Sequence, residues 1–226
     1  MLQAIIFDCD GVIADTEPLH FATFQSVLAD EGISLTEHAY YSEYLALDDR
    51  QCFNRNFKAA GKPLDEEKLR GLILKKAALI EPMMRDHLKI FPGVVTFIRS
   101  AAELFPLVVA SGALRNEVKL ILRHAGVSDC FLAVVAAEDV TRGKPDPEPF
   151  LKALAEINRI RSASILPADS LVIEDSIHGV HAAHEAGMRC LAVTNSYPKE
   201  RLSAADAVVA SLEGIKPAEL DHLLET

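Results

Sequence analysis

Asp8 and Asp10, separated by one residue, end the apolar run Ala4-Ile5-Ile6-Phe7 and are followed at once by Gly11. In an extended chain alternate side chains share a face, so both acids reach one end-of-strand crevice while Cys9 points elsewhere; Gly11 permits a sharp turn. Acids this close repel unless a proton or cation lies between them, a demand met most simply by Mg²⁺. With the charge balanced, one acid can attack phosphorus and the other can move protons. A solvated turn with incidental acids is the plain alternative. A calcium loop of the EF-hand kind fits less well, because it needs further oxygen ligands at fixed spacing and helical flanks.

Other polar groups also follow apolar runs. Ser111-Gly112 comes after Leu107-Val108-Val109-Ala110 and offers a hydroxyl and main-chain N–H groups to phosphate oxygens, or else a plain strand-to-helix turn. In Arg142-Gly143-Lys144-Pro145-Asp146-Pro147 the proline biases Lys144 away from helix. An ammonium held there offsets charge on a nucleophile and a transferring phosphoryl group, unless it is an ordinary loop lysine. Glu174-Asp175-Ser176 follows Leu171-Val172-Ile173, and one or both of these acids can complete an oxygen-only metal site with Asp8 and the Asp10 carbonyl. Asp175 or Ser176 also reads as the cap of the next helix.

The elements that must position these groups are strands alternating with helices. Apolar runs at 4–7, 107–110, 131–135, 171–173, 190–193 and 207–210 alternate with helical spacing at 117–124, 149–157 and 179–186. The pattern predicts an α/β fold with a doubly wound parallel sheet, in which all strand carboxyl ends share one edge. Between the first and second runs the periodicity is helical, with starts at Thr36 and at Leu64-Asp65-Glu66-Glu67 and a stop near Gly32. An all-helical insert over 17–87 is expected, with residues 1–16 and 88–226 forming the catalytic core. Its entry beside the acidic pair suits a lid.

The chain of 226 residues is half hydrophobic and carries a net charge of −10. That balance argues against nucleic-acid and anionic-membrane partners, so local positive charge must receive a phosphorylated metabolite. Cys9, Cys52, Cys130 and Cys190 form neither a C-x-x-C pair nor a compact disulfide framework. With no signal segment or bilayer-length apolar run in the sequence, a soluble, cytoplasmic monomer is expected.

In chain order the groups read acid pair, serine, lysine, acid pair. This constellation resembles the haloacid dehalogenase superfamily, whose motifs correspond to Asp8-x-Asp10-Gly11-Val12, Ser111, Lys144 and Glu174-Asp175. Asp15-Thr16-Glu17, Gly143-Lys144-Pro145-x-Pro147 and Gly179-x-x-Ala182-Ala183-x-x-Ala186-Gly187-Met188 look like the branch that includes β-phosphoglucomutase and phosphoglycolate phosphatase. The resemblance implies a helical cap, Asp8 as a nucleophile forming an aspartyl-phosphate, and Asp10 as acid and then base. It implies that Ser111 and Lys144 hold the phosphoryl group, and that Asp8, the Asp10 main chain, Asp175 and Glu174 hold Mg²⁺. Aspartate at position 10 favours phosphoryl transfer over carbon–halogen cleavage, since halide departure needs no protonated oxygen. Gly11, Gly112, Thr16, His20, Arg50, Lys76, Arg115 and Asn116 are the candidates for substrate contact, although His20, Arg50, Lys76, Arg115 and Asn116 also read as surface positions. The resemblance places a glycine and an arginine of the mutase in the loop corresponding to 46–50; here it reads Ala46-Leu47-Asp48-Asp49-Arg50, without the glycine.

The expected function is a Mg²⁺-dependent phosphatase for a small phosphomonoester such as a sugar phosphate. The alternatives are a phosphohexomutase, a receiver-type switch with a different motif order, and a non-catalytic phosphoryl-binding protein. His178, His181 and His184 are set aside as metal ligands, because the first and third stand about 120° apart on a helix. Met83-Met84 and Tyr40-Tyr41 read as packing, and Cys9 as an inert thiol.

Overall fold

In the strand Ala4–Phe7 (β1) all four side chains are buried, with Ile6 facing one side of a sheet and Phe7 the other. The computed structural model describes residues 1–45 and 47–224, so Ala46 of the loop at 46–50 lies outside the described residues. After β1 come β2 (Ala14–Asp15), α1 (Glu17–Asp30), α2 (Glu37–Ala39), a π-helical turn (Tyr40–Tyr44), α3 (Asp49–Ala59) and α4 (Glu66–His87). The chain continues through β3 (Lys89–Ile90), α5 (Val94–Ala102), β4 (Leu107–Ala110), α6 (Arg115–His124), β5 (Ala133–Val135) and α7 (Glu148–Arg161). It ends with β6 (Ser170–Glu174), α8 (Ile177–Glu185), β7 (Arg189–Val193), β8 (Ala207–Val209) and α9 (Leu220–Leu223).

The chain divides into two units, Met1–Asp15 with the chain from Lys89 on, and Thr16–Leu88. The first holds a six-stranded sheet in the order β5-β4-β1-β6-β7-β8, every adjacent pair parallel. This is the doubly wound α/β architecture expected from the alternation of runs, and its order reverses beside β1, where such sheets bind ligands. On one face Ile6, Val108 and Val172 pack against Phe150 and Ile157 of α7 and Val180 of α8. On the other, the Phe7 ring meets Phe97 of α5 and Phe131 edge-on, with centroids 6.1 and 5.5 Å apart. Burial on both faces explains why these strands read as continuous apolar runs without alternation.

The second unit is helical around its own core of Phe24, Val27, Tyr40, Phe53, Phe57 and Leu69. Asp48 and Gln51 form a reciprocal capping box at the start of α3, and Asp65 caps α4 by accepting the Lys68 N–H at 2.8 Å. Thr36 is a helix start as expected, but α2 lasts one turn before widening into the π-helical stretch. The strand expected over 131–135 begins only at Ala133, since Phe131 turns its ring onto Phe7. Among the described residues no helix is long and apolar enough to cross a membrane.

Candidate active site

Because β1 lies between β4 and β6, the ends of three neighbouring parallel strands bring together segments far apart in sequence. Asp8 follows β1, and its N–H donates to the Ile173 carbonyl at 2.9 Å, fixing the start of the turn to β6. Glu174 is the last residue of β6 and fully buried; its Oε2 accepts from the Asp175 and Ser176 N–H groups, each at 2.8 Å, and from Ser176 Oγ at 2.9 Å. Ser176 caps α8 by accepting the Gly179 N–H at 3.0 Å, so the expected cap is present beside the acids. Gly11 has φ +74°, and a Cβ there would lie 1.8 Å from Asp175 Oδ2; only glycine lets the turn approach this carboxylate. Asn195 Nδ2 donates to the Gly11 carbonyl at 2.7 Å and steadies the same turn.

Lys144 reaches in from the connection between β5 and α7. Its Nζ lies 2.8 Å from Asp8 Oδ1 and 2.5 Å from Glu174 Oε1. Ser111, after β4, donates through Oγ to Asp10 Oδ2 at 3.1 Å and accepts the Ala113 N–H at 3.0 Å. Burial pushes the Asp8 carboxyl up to about 7; Lys144 works against that rise, while Glu174 and Asp10 add to it. Burial disfavours the Lys144 charge too, but Asp8 and Glu174 more than offset this and hold the ammonium above the ordinary lysine range. Cys9 is buried between the acids, with its thiol raised well above the usual value by burial and then by Asp10 and Asp8, so it is unreactive.

Asp8, Glu174 and Asp175 each offer a carboxylate oxygen, and the three atoms lie within 4.8 Å of one another. This buried set of hard oxygen donors, with more negative charge than Lys144 balances, fits a divalent cation of the Mg²⁺ type. Among the described residues it is the one group with such an arrangement. The Asp10 carboxylate stands outside the trio, on Ser111. His184 pairs with Asp206 at 3.0 Å and joins no such group.

The remaining candidates are placed as follows. Gly112 is exposed in the turn after Ser111, and Asn116 is exposed on α6. Arg115 is engaged by Asp139 and by the Val134 carbonyl. In the helical unit Thr16 is buried, and the surface reading of His20 and Lys76 is overturned. The Lys76 ammonium is fully buried, 2.5 Å from Asp49 Oδ1, 2.8 Å from His20 Nδ1 and 4.6 Å above the Phe24 ring. A buried ammonium requires such a counter-charge. Arg50 is a surface residue, both Glu66 oxygens lying 2.8 Å from its Nη1. Asn195 was not a sequence candidate, and Gly179, which the sequence offered only as part of the Gly179-x-x-Ala182-Ala183 resemblance, leaves no room for a Cβ beside Glu174.

A family model described as haloacid dehalogenase-like hydrolase matches residues 5–193. A relative from Thermotoga maritima, named phosphorylated carbohydrates phosphatase, is 30% identical over 242 residues covering 99% of each chain. Protein CbbY of Rhodobacter capsulatus is 27% identical over 232 residues, 98% of this chain and 99% of that one. The crystal structure of β-phosphoglucomutase from Clostridium difficile superposes with a TM-score of 0.86 at 24% identity, covering 100% of this chain and 98% of that one, a likeness of fold. Since the matched region runs from β1 to the end of β7 and contains every member of the acid and lysine cluster, the chain belongs to the haloacid dehalogenase-like hydrolases and is an enzyme.

Proposed function

We propose that the protein is a Mg²⁺-dependent phosphatase acting on a small phosphomonoester of the sugar-phosphate class. The observation that carries this reading is the Lys144 ammonium between Asp8 and Glu174, beside a trio of carboxylates suited to a divalent ion. Asp8 attacks phosphorus, forming an Oδ–P bond as the bond to the leaving oxygen breaks, and Asp10 gives that oxygen its proton. Asp10 then takes a proton from water as the water oxygen attacks phosphorus, and the Asp8 carboxylate is released with inorganic phosphate. Lys144 and Ser111 hold the phosphoryl oxygens in line and offset their charge. Asp8, Glu174, Asp175 and the Asp10 carbonyl would hold Mg²⁺, which supplies positive charge to the phosphoryl group when bound. The name of the Thermotoga relative supports phosphorylated carbohydrates as the first class to test, and four free thiols, at Cys9, Cys52, Cys130 and Cys190, support a reducing, cytoplasmic setting.

A phosphohexomutase working through a bisphosphate needs a cation for the second phosphate. In the helical unit the Arg50 guanidinium is paired at the surface with Glu66 and the Lys76 ammonium is buried against Asp49. Phosphate release should be measured with Mg²⁺ over sugar phosphates, phosphoglycolate and nucleoside monophosphates. Asp8→Asn should lose on the order of 10³-fold or more of kcat; near-wild-type release by that variant would remove Asp8 as nucleophile. Isomerisation of β-glucose 1-phosphate, primed with bisphosphate and without free phosphate, would establish the mutase instead.

A further inference from the structure

Lys144 lies in a connection without regular structure, between the Ala137–Asp139 turn and α7, yet its ammonium is set on both Asp8 and Glu174. A lysine side chain loses much rotamer freedom on being held, so its placement depends on how firmly the backbone beneath it is fixed. Glu148, the first residue of α7, fixes the start of that segment. Its Oε1 accepts the Thr141 N–H at 3.0 Å and its Oε2 accepts the Arg142 N–H at 2.9 Å. A carboxylate receiving two consecutive main-chain donors sets the orientation as well as the distance of that segment. Its place in the first turn of a helix also suits a negative charge. Within the loop Asp146 adds three ties: Oδ1 accepts the Glu148 N–H at 3.0 Å, its own N–H donates to the Gly143 carbonyl at 3.0 Å, and Arg142 Nε lies 3.0 Å from Oδ2. Two residues further along α7, the buried Phe150 ring has its centroid 4.9 Å from Lys144 Nζ. One helix therefore bears on the lysine from two sides, on the backbone leading into it through Glu148 and on its ammonium through Phe150.

We propose that Glu148 is a positioning residue for phosphoryl transfer, holding the 141–147 loop so that Lys144 meets Asp8; this rests on the catalytic reading given under the proposed function. Glu148 acts through Lys144. Lys152, then the Thr141 and Arg142 N–H groups, hold its carboxyl down to about 2, so the cradle stays ionised throughout neutral pH.

Steady-state kinetics on the full-length protein with Mg²⁺, well below its melting temperature, tests this. Glu148→Ala should lower kcat by roughly 10- to 100-fold, the scale of a small misplacement of a reacting group. Glu148→Gln, which keeps an acceptor oxygen, should recover part of that loss. Lys152→Met, which breaks the 2.7 Å ion pair to Glu148 and the 2.5 Å contact to the Asp139 carbonyl but leaves both N–H contacts, should stay within about twofold of wild type. In a Lys144→Ala background, Glu148→Ala should change kcat by less than about twofold, because the residue through which it acts is gone. The ¹⁵Nζ resonance of Lys144, assigned by its loss in Lys144→Ala, should shift in Glu148→Ala and persist in place in Lys152→Met. Full kcat in Glu148→Ala, the same fold-loss with and without Lys144, or an unmoved Lys144 resonance would each overturn the proposal. Should the wild-type protein release no phosphate from any substrate, the catalytic reading fails, and the resonance still decides whether Glu148 sets the surroundings of Lys144.

Discussion

Gly179 stands so close to the Glu174 carboxyl group that a Cβ there would lie 1.8 Å from Glu174 Cδ. In an ordinary helix, alanine in place of glycine gains about 1 kcal/mol. Here overpacking costs about 1–3 kcal/mol, and Glu174 has little freedom to retreat, held by Lys144, two main-chain N–H groups and Ser176 Oγ. The clash therefore outweighs the helix gain. Gly179→Ala should lower Tm and weaken Mg²⁺ binding in an isothermal titration; a variant that melts higher and titrates as wild type would show that the carboxylate has room. The same crowding accounts for the electrostatics of the site, where burial raises Asp8 and the neighbouring acids raise it further, so that Lys144 alone does not neutralise the cluster.

At the scale of elements, the short helix α9 is tied to the beginning of the sheet by one carboxylate. Both Asp221 oxygens accept the Leu2 N–H at 3.1 Å, and Oδ1 lies 2.9 Å from an Arg189 guanidinium nitrogen at the start of β7. The Leu2 N–H, and after it Arg189, hold the Asp221 carboxyl below the usual aspartate range. A carboxyl depressed by folding contributes stability above its unfolded pKa of about 4, and that contribution is lost as pH falls through the folded value. Asp221→Asn should therefore melt below wild type at pH 7 and at pH 5, with the gap closing in melts taken below about pH 4. A gap that persists unchanged at pH 3 would mean that the clasp works through shape and not charge.

The whole molecule has separate hydrophobic cores in its two units, and the acid cluster belongs entirely to one of them. Phe53 is fully buried in the helical unit, its ring 5.2 Å from that of Phe24. Truncating it to alanine should cost about 3–5 kcal/mol through lost transfer energy and the cavity left behind. Calorimetry of Phe53→Ala should show the loss as a lowered transition, while Mg²⁺ titration below that transition should match wild type. A tenfold weaker Mg²⁺ affinity in the folded variant would show that the cluster depends on the helical core.

The succession of elements and the chemistry waiting at their ends were legible along the chain alone. Apolar runs at 107–110 and 171–173 stood out because a strand buried on both faces needs apolar residues at every position, and β4 and β6 lie there. Polar residues ending those runs were legible for the same reason. Which of them meet was decided by the strand order β5-β4-β1-β6-β7-β8, since it sets Asp8 beside Glu174 although the two are 166 positions apart in the chain. Tertiary packing also decided that Lys76 is an interior ammonium against Asp49 and that Asn195 supports the Gly11 turn. Periodicity reports how a residue stands relative to neighbours a few positions away. An ion pair or a close backbone approach depends on segments that become neighbours only when the cores form, and no spacing along the chain records that distance.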